Sequence, residues 1–410
     1  MNRRTLLKTG SMAALGFGFG GCAAPKQMTN IALPSRRPMF YLPPIRASWD
    51  RVIRTTVGLR PHRPTGFRLE AEKFDDKTVI HNYGHGGAGL SLCWGTGAMA
   101  ADMALDAING DRKVAVLGSG ALGLAATRQL QRRGCDVTIY TAAVPPHTTS
   151  NMAYGVFSPT SGLLSARRAS AWEVQFREAV EISYRQLQLF AGANYGVSWM
   201  DSYGTMEELP TSRRRAERPR DPDAEGLLPS SIANLEAGRE VLHPGEHPFT
   251  TPYASRRISM RIEPTLFLEA MLREVRLFGG RTVIRKFASP GDLMMLKESV
   301  IVNCTGLGAR DIFADQTLLP FKGQLTFLVP QPEVNYQFGC MPRSDGIALG
   351  STRERGVWSM EPDLEVQQRI VDRAISRFAL LREPQAGSRM ARTRPLRSTP
   401  SVENFFDLES

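Results

Sequence analysis

Residues 113–140 constrain the fold of this 410-residue chain more than any other stretch. Lys113 to Leu117, with its apolar run Val114 to Leu117, reads as a buried strand. It feeds the turn Gly118-Ser119-Gly120-Ala121-Leu122-Gly123, and an Ala/Leu-rich segment, Leu122 to Arg133, leaves it as a helix. Asp136 to Tyr140 then reads as a second strand. A G-x-G-x-x-G pattern alone describes many glycine turns; placed between a strand and a helix it describes a dinucleotide-binding βαβ unit. Gly118 permits the tight turn, Gly120 lets the backbone approach a pyrophosphate, and Gly123 allows the helix to pack closely on the strand. The helix N-terminus then offers free amides and a positive dipole end to the phosphates. One element is absent. The acidic residue that holds a ribose 2′-hydroxyl is expected ~20 residues on, where Thr141-Ala142-Ala143 stands. No arginine replaces it there, so a 2′-phosphate is not favoured and the ribose contact is unassigned.

Around this unit the pattern is that of a globular α/β enzyme. An apolar share of 42% and a charged share of 22% exclude wholesale disorder and a membrane bundle. Trp49 to Glu70 reads strand-like, although Pro61 and Pro64 forbid a central strand there. Thr78-Val79-Ile80 reads as a strand leading into Tyr83-Gly84-His85-Gly86-Gly87-Ala88-Gly89, followed by a helix over Ala98 to Ile108. Helical spacing also marks 172–190, Leu266 to Phe278 after the Pro264-Thr265 start, and Leu364 to Leu381. Val300 to Gly306 reads as a buried strand ending in a turn, the kind of strand end that faces a ligand in a parallel sheet.

The N-terminus reads as an export signal. Asn2-Arg3-Arg4-Thr5-Leu6-Leu7-Lys8 precedes an apolar, glycine-rich run from Met12 to Gly21, shorter than the ~20 residues a spanning helix needs. The paired arginines resemble a twin-arginine signal, which implies the twin-arginine export machinery as a partner and the bacterial periplasm or cell envelope as the destination. Phe19-Gly20-Gly21-Cys22 resembles a lipobox with Cys22 as the lipidation site, although Phe19 sits where leucine is usual.

The formal charge of +11 includes that signal and the cluster Arg213-Arg214-Arg215 with Arg218 and Arg220. The cluster is interspersed with Glu217, Pro219, Asp221 and Pro222 and reads as a solvated loop, not as a nucleic-acid surface. Cys93, Cys135, Cys304 and Cys340 are too scattered to mark a metal site or a disulfide framework. His81 and His85 lie four apart but flank glycines instead of sitting on a helix, so no metal is expected.

Four stretches together resemble the D-amino-acid oxidase family of FAD-dependent oxidoreductases. They are Gly58-Leu59-Arg60-Pro61-His62-Arg63-Pro64 with Arg68-Leu69-Glu70; His81 to Leu90 with Trp94-Gly95; Val114 to Tyr140 with Thr148-Thr149-Ser150; and Ile301 to Gly306. The first two are the more specific, and the four span most of residues 48–384. In that family the Arg-Pro and glycine-rich stretches come last; here they come first. Their closing helix runs through Asn109-Gly110-Asp111-Arg112 into the first strand of the βαβ unit, an order that fits a circular permutation with new ends near Ala47 and Pro384. Arg392-Thr393-Arg394-Pro395-Leu396-Arg397 echoes the Arg-Pro core, as a remnant or by chance.

The resemblance implies an α/β fold: an FAD-binding Rossmann-like domain interwoven with an antiparallel or mixed-sheet substrate domain, circularly permuted. The expected organisation is a signal over 1–22, a linker over 23–47, the oxidoreductase fold over 48–384 and a tail over 385–410. Within the fold, 48–112 is the permuted segment, 113–160 the βαβ unit, and 161–384 the substrate domain with the remaining FAD-binding strands.

The resemblance also assigns roles. Arg60 would bind the substrate carboxylate through its planar fork, and the backbone carbonyl of Gly87 would receive the substrate amine. Gly86, Gly87, Gly89, Leu90 and Ser91 would wrap the flavin ring. Thr148, Thr149 and Ser150 would hold the pyrophosphate or ring, and Thr305 and Gly306 would end a strand beside the cofactor. Tyr253 is a candidate for the substrate-facing tyrosine. Ala88 and Ser158 depart from the residues common at their places, which leaves the substrate more open than the cofactor.

The implied activity is FAD-dependent oxidation of a D-amino acid or a related small amine-bearing carboxylate by hydride transfer to flavin. The product is an imino acid that hydrolyses to a keto acid and ammonia, with oxygen reduced to hydrogen peroxide. Alternatives are a flavin-binding envelope lipoprotein without amino-acid oxidase activity, and an NAD(P)-dependent dehydrogenase.

Overall fold

The computed structural model describes residues 40–163, 170–209 and 238–382. The export signal with Cys22, the Arg213 to Arg220 cluster, the tail over 385–410 and the Arg392 echo lie outside the described residues.

The βαβ unit forms where the sequence places it: β4 over Lys113–Leu117, α2 over Ala121–Arg132 and β5 over Asp136–Thr141. It sits in a six-stranded sheet ordered β2-β3-β10-β4-β5-β9, with β2 (Arg68–Phe74), β3 (Lys77–Tyr83), β9 (Arg281–Ile284) and β10 (Val300–Asn303). All pairings in this sheet are parallel except β2 with β3. A strand covered on both faces must be apolar on both. Val114, Val116, Val300, Val302 and Ile80 accordingly face a large helical core. Their alternates Ala115, Leu117, Ile301 and Val79 pack on the other side against Phe287, Leu293 and Leu296. That two-sided burial is why the sequence shows continuous apolar runs here instead of alternation.

The helical side holds α1 (Gly89–Ala107), α2, α3 (Ser170–Phe190) and α4 (Pro264–Leu277). Helix α1 starts nine residues before the expected Ala98, because its glycines serve helix packing and not a loop. An added Cβ at Gly95 would lie 2.0 Å from Ala179 O of α3, and one at Gly97 would lie 3.0 Å from Ala126 N of α2. Gly95→Ala is therefore expected to force α1 and α3 apart and to destabilise the fold by about 2–3 kcal/mol, measured as a lowered urea midpoint with an unchanged slope.

A second sheet runs β1-β11-β14-β13, from β1 (Val52–His62), β11 (Leu319–Leu328), β14 (Gly346–Gly350) and β13 (Cys340–Arg343). Strand β1 is an edge strand antiparallel to β11, with Pro61 opposite Pro320; Pro61 O accepts from Gly86 N at 2.6 Å and Pro320 O from Gly356 N at 2.8 Å, so both prolines turn their backbone polar groups away from each other and the β1–β11 ladder loses no bond to them. A third sheet, β12-β6-β8-β7, is built on the long antiparallel pair β6 (Val197–Met206) and β8 (Tyr253–Ile262), flanked by β12 (Tyr336–Gln337) and β7 (Glu240–Leu242). The amphipathic helix α5 (Leu364–Phe378), N-capped by Asp363, packs Val371, Ala374 and Phe378 into a core shared with β13 and β14.

The expected linker boundary at 47 moves. Leu42 and Ile45 are buried in that same core, and Tyr336 donates to Pro43 O at 2.6 Å. Gln331 clasps the Arg46 backbone from both sides, accepting from its N–H at 2.8 Å and donating to its carbonyl at 2.9 Å. The segment read as tether on its prolines thus belongs to the folded unit from at least Leu42. Among the described residues no helix is long and apolar enough to cross a membrane.

Candidate active site

The C-terminal ends of β10, β4 and β5 open into a cavity of about 500 Å³ that runs on to β1 and to the segment after β14. The glycine turn forms its floor. Gly118 takes φ +97°, a conformation that disfavours any side chain, and its added Cβ would lie 2.6 Å from Cys304 O. Gly123 does not border the cavity. An added Cβ there would lie 2.0 Å from Gly118 O, so it is the residue that lets α2 start directly beneath the turn. Ser150 Oγ accepts from Ala121 N at 3.0 Å and so ties the Thr148–Ser150 loop to the helix start.

Most of the residues singled out in the sequence converge on this one space. Arg60, Gly86, Gly87, Gly89 and Leu90 border it, as do Gly118 through Leu122, Thr148, Thr149, Ser150, Thr305 and Gly306. Besides Gly123, two do not. Ser91 lies in the first turn of α1, and its hydroxyl accepts from Ser158 N at 2.8 Å, positioning the wall at Ser158 from behind. Tyr253 starts β8 in the third sheet, with its ring edge-on to His243, and stands away from the cavity; sequence proximity to a strand start could not say which end of which sheet it would occupy.

Arg60 reaches the cavity across β11. Its partner in register is Phe321, and two residues along β11 stands Gly323, where an added Cβ would lie 2.3 Å from Arg60 Nη2. With no side chain in the way, Nη1 donates to Thr352 O and Nη2 to Ser351 Oγ, both at 3.0 Å. No carboxylate among the described residues pairs with Arg60. Burial and the neighbouring charge of Arg353 push its pKa down to about 10, which leaves it cationic at neutral pH. Arg353 borders the same cavity. Gly323, Ser351 and Arg353 were not anticipated; the glycine inside the strand pattern Leu319 to Leu328 was the one available signal, since such glycines mark close approach.

Behind Thr305 runs a buried polar chain. Thr305 donates from N and Oγ1 to Asn303 Oδ1, at 3.1 and 2.7 Å. The Asn303 amide lies 3.2 Å from His81 Nδ1, and His81 Nε2 lies 3.0 Å from Glu72. Burial, with the Arg68 charge adding to it, pushes the His81 pKa down to about 4, so the ring is neutral and orients Asn303. His81 and His85 therefore serve separate places: His85 stacks on Phe67 and borders the cavity. All four described cysteines are buried free thiols.

The residues fit a dinucleotide flavin by observations independent of motif. A Cβ at Gly118 would drive the turn off the end of β10 at Cys304 O, so the glycine holds the turn's backbone at the cavity floor. Gly89 has nothing within 4 Å of its added Cβ, so it faces open space at the start of α1. Both ring nitrogens of His85 are buried without a hydrogen-bond partner, although the residue borders the cavity; burial holds the ring neutral, with a pKa of about 3. Buried polar atoms are rarely left so unless a further group completes them.

Comparison with known proteins agrees. A family model described as DAO, FAD dependent oxidoreductase, matches residues 113–406. The chain is 28% identical over 294 residues to a D-amino-acid oxidase of Streptomyces coelicolor, covering 68% of this chain and 81% of the relative. It is 26% identical over 273 residues to the D-aspartate oxidase of Homo sapiens, covering 64% and 74%. Among solved structures, an iminodiacetate oxidase from Chelativorans sp. BNC1 aligns with a TM-score of 0.48 at 18% identity, over 65% of this chain and 79% of that one. A family match that begins at the first residue of β4 and takes in most of the chain, over a cavity built to seat a dinucleotide, places the protein in the DAO family of FAD-dependent oxidoreductases.

Proposed function

We propose that the protein oxidises a D-amino acid, or a closely related amine-bearing carboxylate, whose side chain carries a second acidic group. The observation that carries this reading is the pair Arg60 and Arg353: two cations on one cavity with no carboxylate partner among the described residues. One guanidinium suits the α-carboxylate; a second beside it is a cost unless the ligand brings a second anion. The relatives include D-aspartate oxidases, in keeping with such a substrate.

The chain's own residues position the substrate. Arg60, locked by Thr352 O and Ser351 Oγ, turns its remaining donors to the carboxylate. Gly87, held by donation of its N–H to Ser161 O at 2.9 Å, places its carbonyl for the amine. Leu59, Leu90 and Val156 line the cavity with apolar surface that excludes water. FAD, when bound, supplies the hydride acceptor. The substrate gives up its α-hydrogen with the bonding electron pair, and the imino acid is hydrolysed to a keto acid and ammonia. No strong base is required, since orientation is the protein's main contribution. Oxygen is the proposed terminal acceptor, with hydrogen peroxide as the product.

Anaerobic mixing of the yellow protein with D-aspartate, D-glutamate and D-alanine tests this: the acidic substrates should bleach the flavin band fastest, and air should restore it with peroxide released. A flavin that no D-amino acid bleaches would instead support the inactive flavoprotein. Arg353→Ala is expected to lower kcat/KM for D-aspartate by roughly 10- to 100-fold while changing that for D-alanine less than about threefold. Equal losses on both substrates would refute the second-anion role.

The same reading includes the permuted order and export. The family match starting at Lys113, behind β1 to β3 and α1, supports the former. A gene rejoined to begin at Lys113, with residues 40–112 at its end, should yield an active flavoprotein. Residues 2–22 support the latter, and replacing Arg3 and Arg4 by lysine should retain the precursor in the cytoplasm.

A further inference from the structure

The end of β5 lacks the carboxylate that ordinarily accepts from the adenosine ribose, and the structure brings cations to that same place. Thr141 Oγ1 and Ser119 Oγ both donate to Ala143 O at 2.7 Å, curling residues 141–143 at the cavity so that Ala142 is the exposed residue of the three. Strand β9 pairs with β5 in parallel, and the residue after it, Arg285, donates its backbone N–H to Thr141 O at 2.8 Å. Arg285 and Lys286 therefore stand at the β5 end and border the cavity with Tyr140, Thr141 and Ala142.

Neither cation forms an ion pair among the described residues. The Arg285 guanidinium lies over the Phe287 ring at 4.9 Å and makes a long 3.5 Å contact to Asp292 O. The Asp292 carboxylate is itself occupied by the amides of Ala288 and Ser289, at 2.7 and 3.1 Å. The arrangement inverts the usual polarity of a ribose site. A carboxylate accepts from ribose hydroxyls and repels a phosphate on them, whereas a guanidinium donates to hydroxyl oxygen and attracts a phosphate.

We propose that Arg285, with Lys286, is the adenosine-ribose reader of this protein, replacing the missing acid at Ala142 and making the site tolerant of a 2′-phosphorylated adenosine. The inference rests on FAD as the cofactor and is independent of the substrate. Side-chain truncation at Arg285 leaves its backbone bond to Thr141 in place, so the strand end keeps its position while the donor is lost.

The test uses the full-length holoenzyme and reads FAD release as recovery of flavin fluorescence. Adenosine 2′,5′-bisphosphate should displace FAD at lower concentration than ADP, by at least about fivefold, because its 2′-phosphate meets two cations. The Arg285→Ala/Lys286→Ala variant should release FAD with a Kd raised on the order of 10- to 100-fold, the range for charge-assisted hydrogen bonds. It should also lose the preference for the bisphosphate, with FMN affinity unchanged because FMN carries no adenosine, and with the thermal midpoint of the flavin-free protein unchanged. Ala142→Asp should reverse the preference in favour of ADP. The proposal is overturned if ADP competes better than the bisphosphate in the wild type, or if the double variant holds FAD as tightly as the wild type. A wild-type protein that takes up no FAD would overturn the cofactor assignment along with it.

Discussion

Arg60→Ala is expected to lower kcat/KM for the proposed acidic D-amino-acid substrate by roughly a thousandfold, about 4 kcal/mol, while the purified protein stays yellow. The guanidinium is held by two acceptors on one side, Thr352 O and Ser351 Oγ, which fixes the plane in which its other donors point. Its truncation removes a charge-assisted fork and leaves a desolvated substrate carboxylate beside Arg353 alone. Arg60→Lys keeps the charge but not the planar geometry and should recover only a minor fraction, on the order of a tenth, since a point charge does not replace a bidentate donor. Steady-state kinetics with flavin content measured on the same samples separates this outcome from simple loss of cofactor. An alanine variant with an unchanged KM and kcat would mean that the carboxylate is bound elsewhere.

The second large effect is at Gly123. Its alanine variant is expected to be colourless as purified and destabilised by on the order of 3–4 kcal/mol. The obstructing atom is Gly118 O, 2.0 Å from the added Cβ, and it belongs to a turn with little freedom to move. Gly118 N donates to Tyr140 O at 2.8 Å, and the neighbouring Cys304 N donates to Leu117 O at 2.9 Å, so the turn is bonded to strands on either side. Relief must come from α2 lifting off β4, which withdraws the helix N-terminus from the pyrophosphate position. Urea denaturation and the ratio of visible to ultraviolet absorbance read the two consequences separately. A Gly123→Ala protein carrying stoichiometric FAD would show that close helix–strand contact is not what builds the turn.

Local chemistry made the βαβ unit legible. Lys113–Leu117 matches the expected strand, and the helix and second strand fall within one residue of their expected limits. The glycine-rich stretch after Tyr83 was harder to place. Glycine signals a turn when only chain neighbours are considered; at Gly95 and Gly97 it instead admits α3 and α2 against α1, a reason that resides in the partners. The boundary at residue 47 moved for a similar cause, because prolines between Leu42 and Ala47 read as tether until Tyr336 and Gln331 are seen to hold them.

Consecutive residues over 113–140 carry the dinucleotide unit and the two-faced burial of its strands, because backbone geometry and side-chain period act directly there; the role expected of Arg60 comes from the family resemblance. Tertiary structure alone decided what surrounds them. Arg60 meets Thr352 across 292 residues because β1 pairs antiparallel with β11, and Gly323 leaves the space for that crossing. Arg285 fills the place of the absent acid because β9 pairs with β5, although the turn after β5 contains no cation. Strand pairing over such separations is set by which apolar faces find cover, so the residues it delivers to the site carry no mark in their own neighbourhood of the chain.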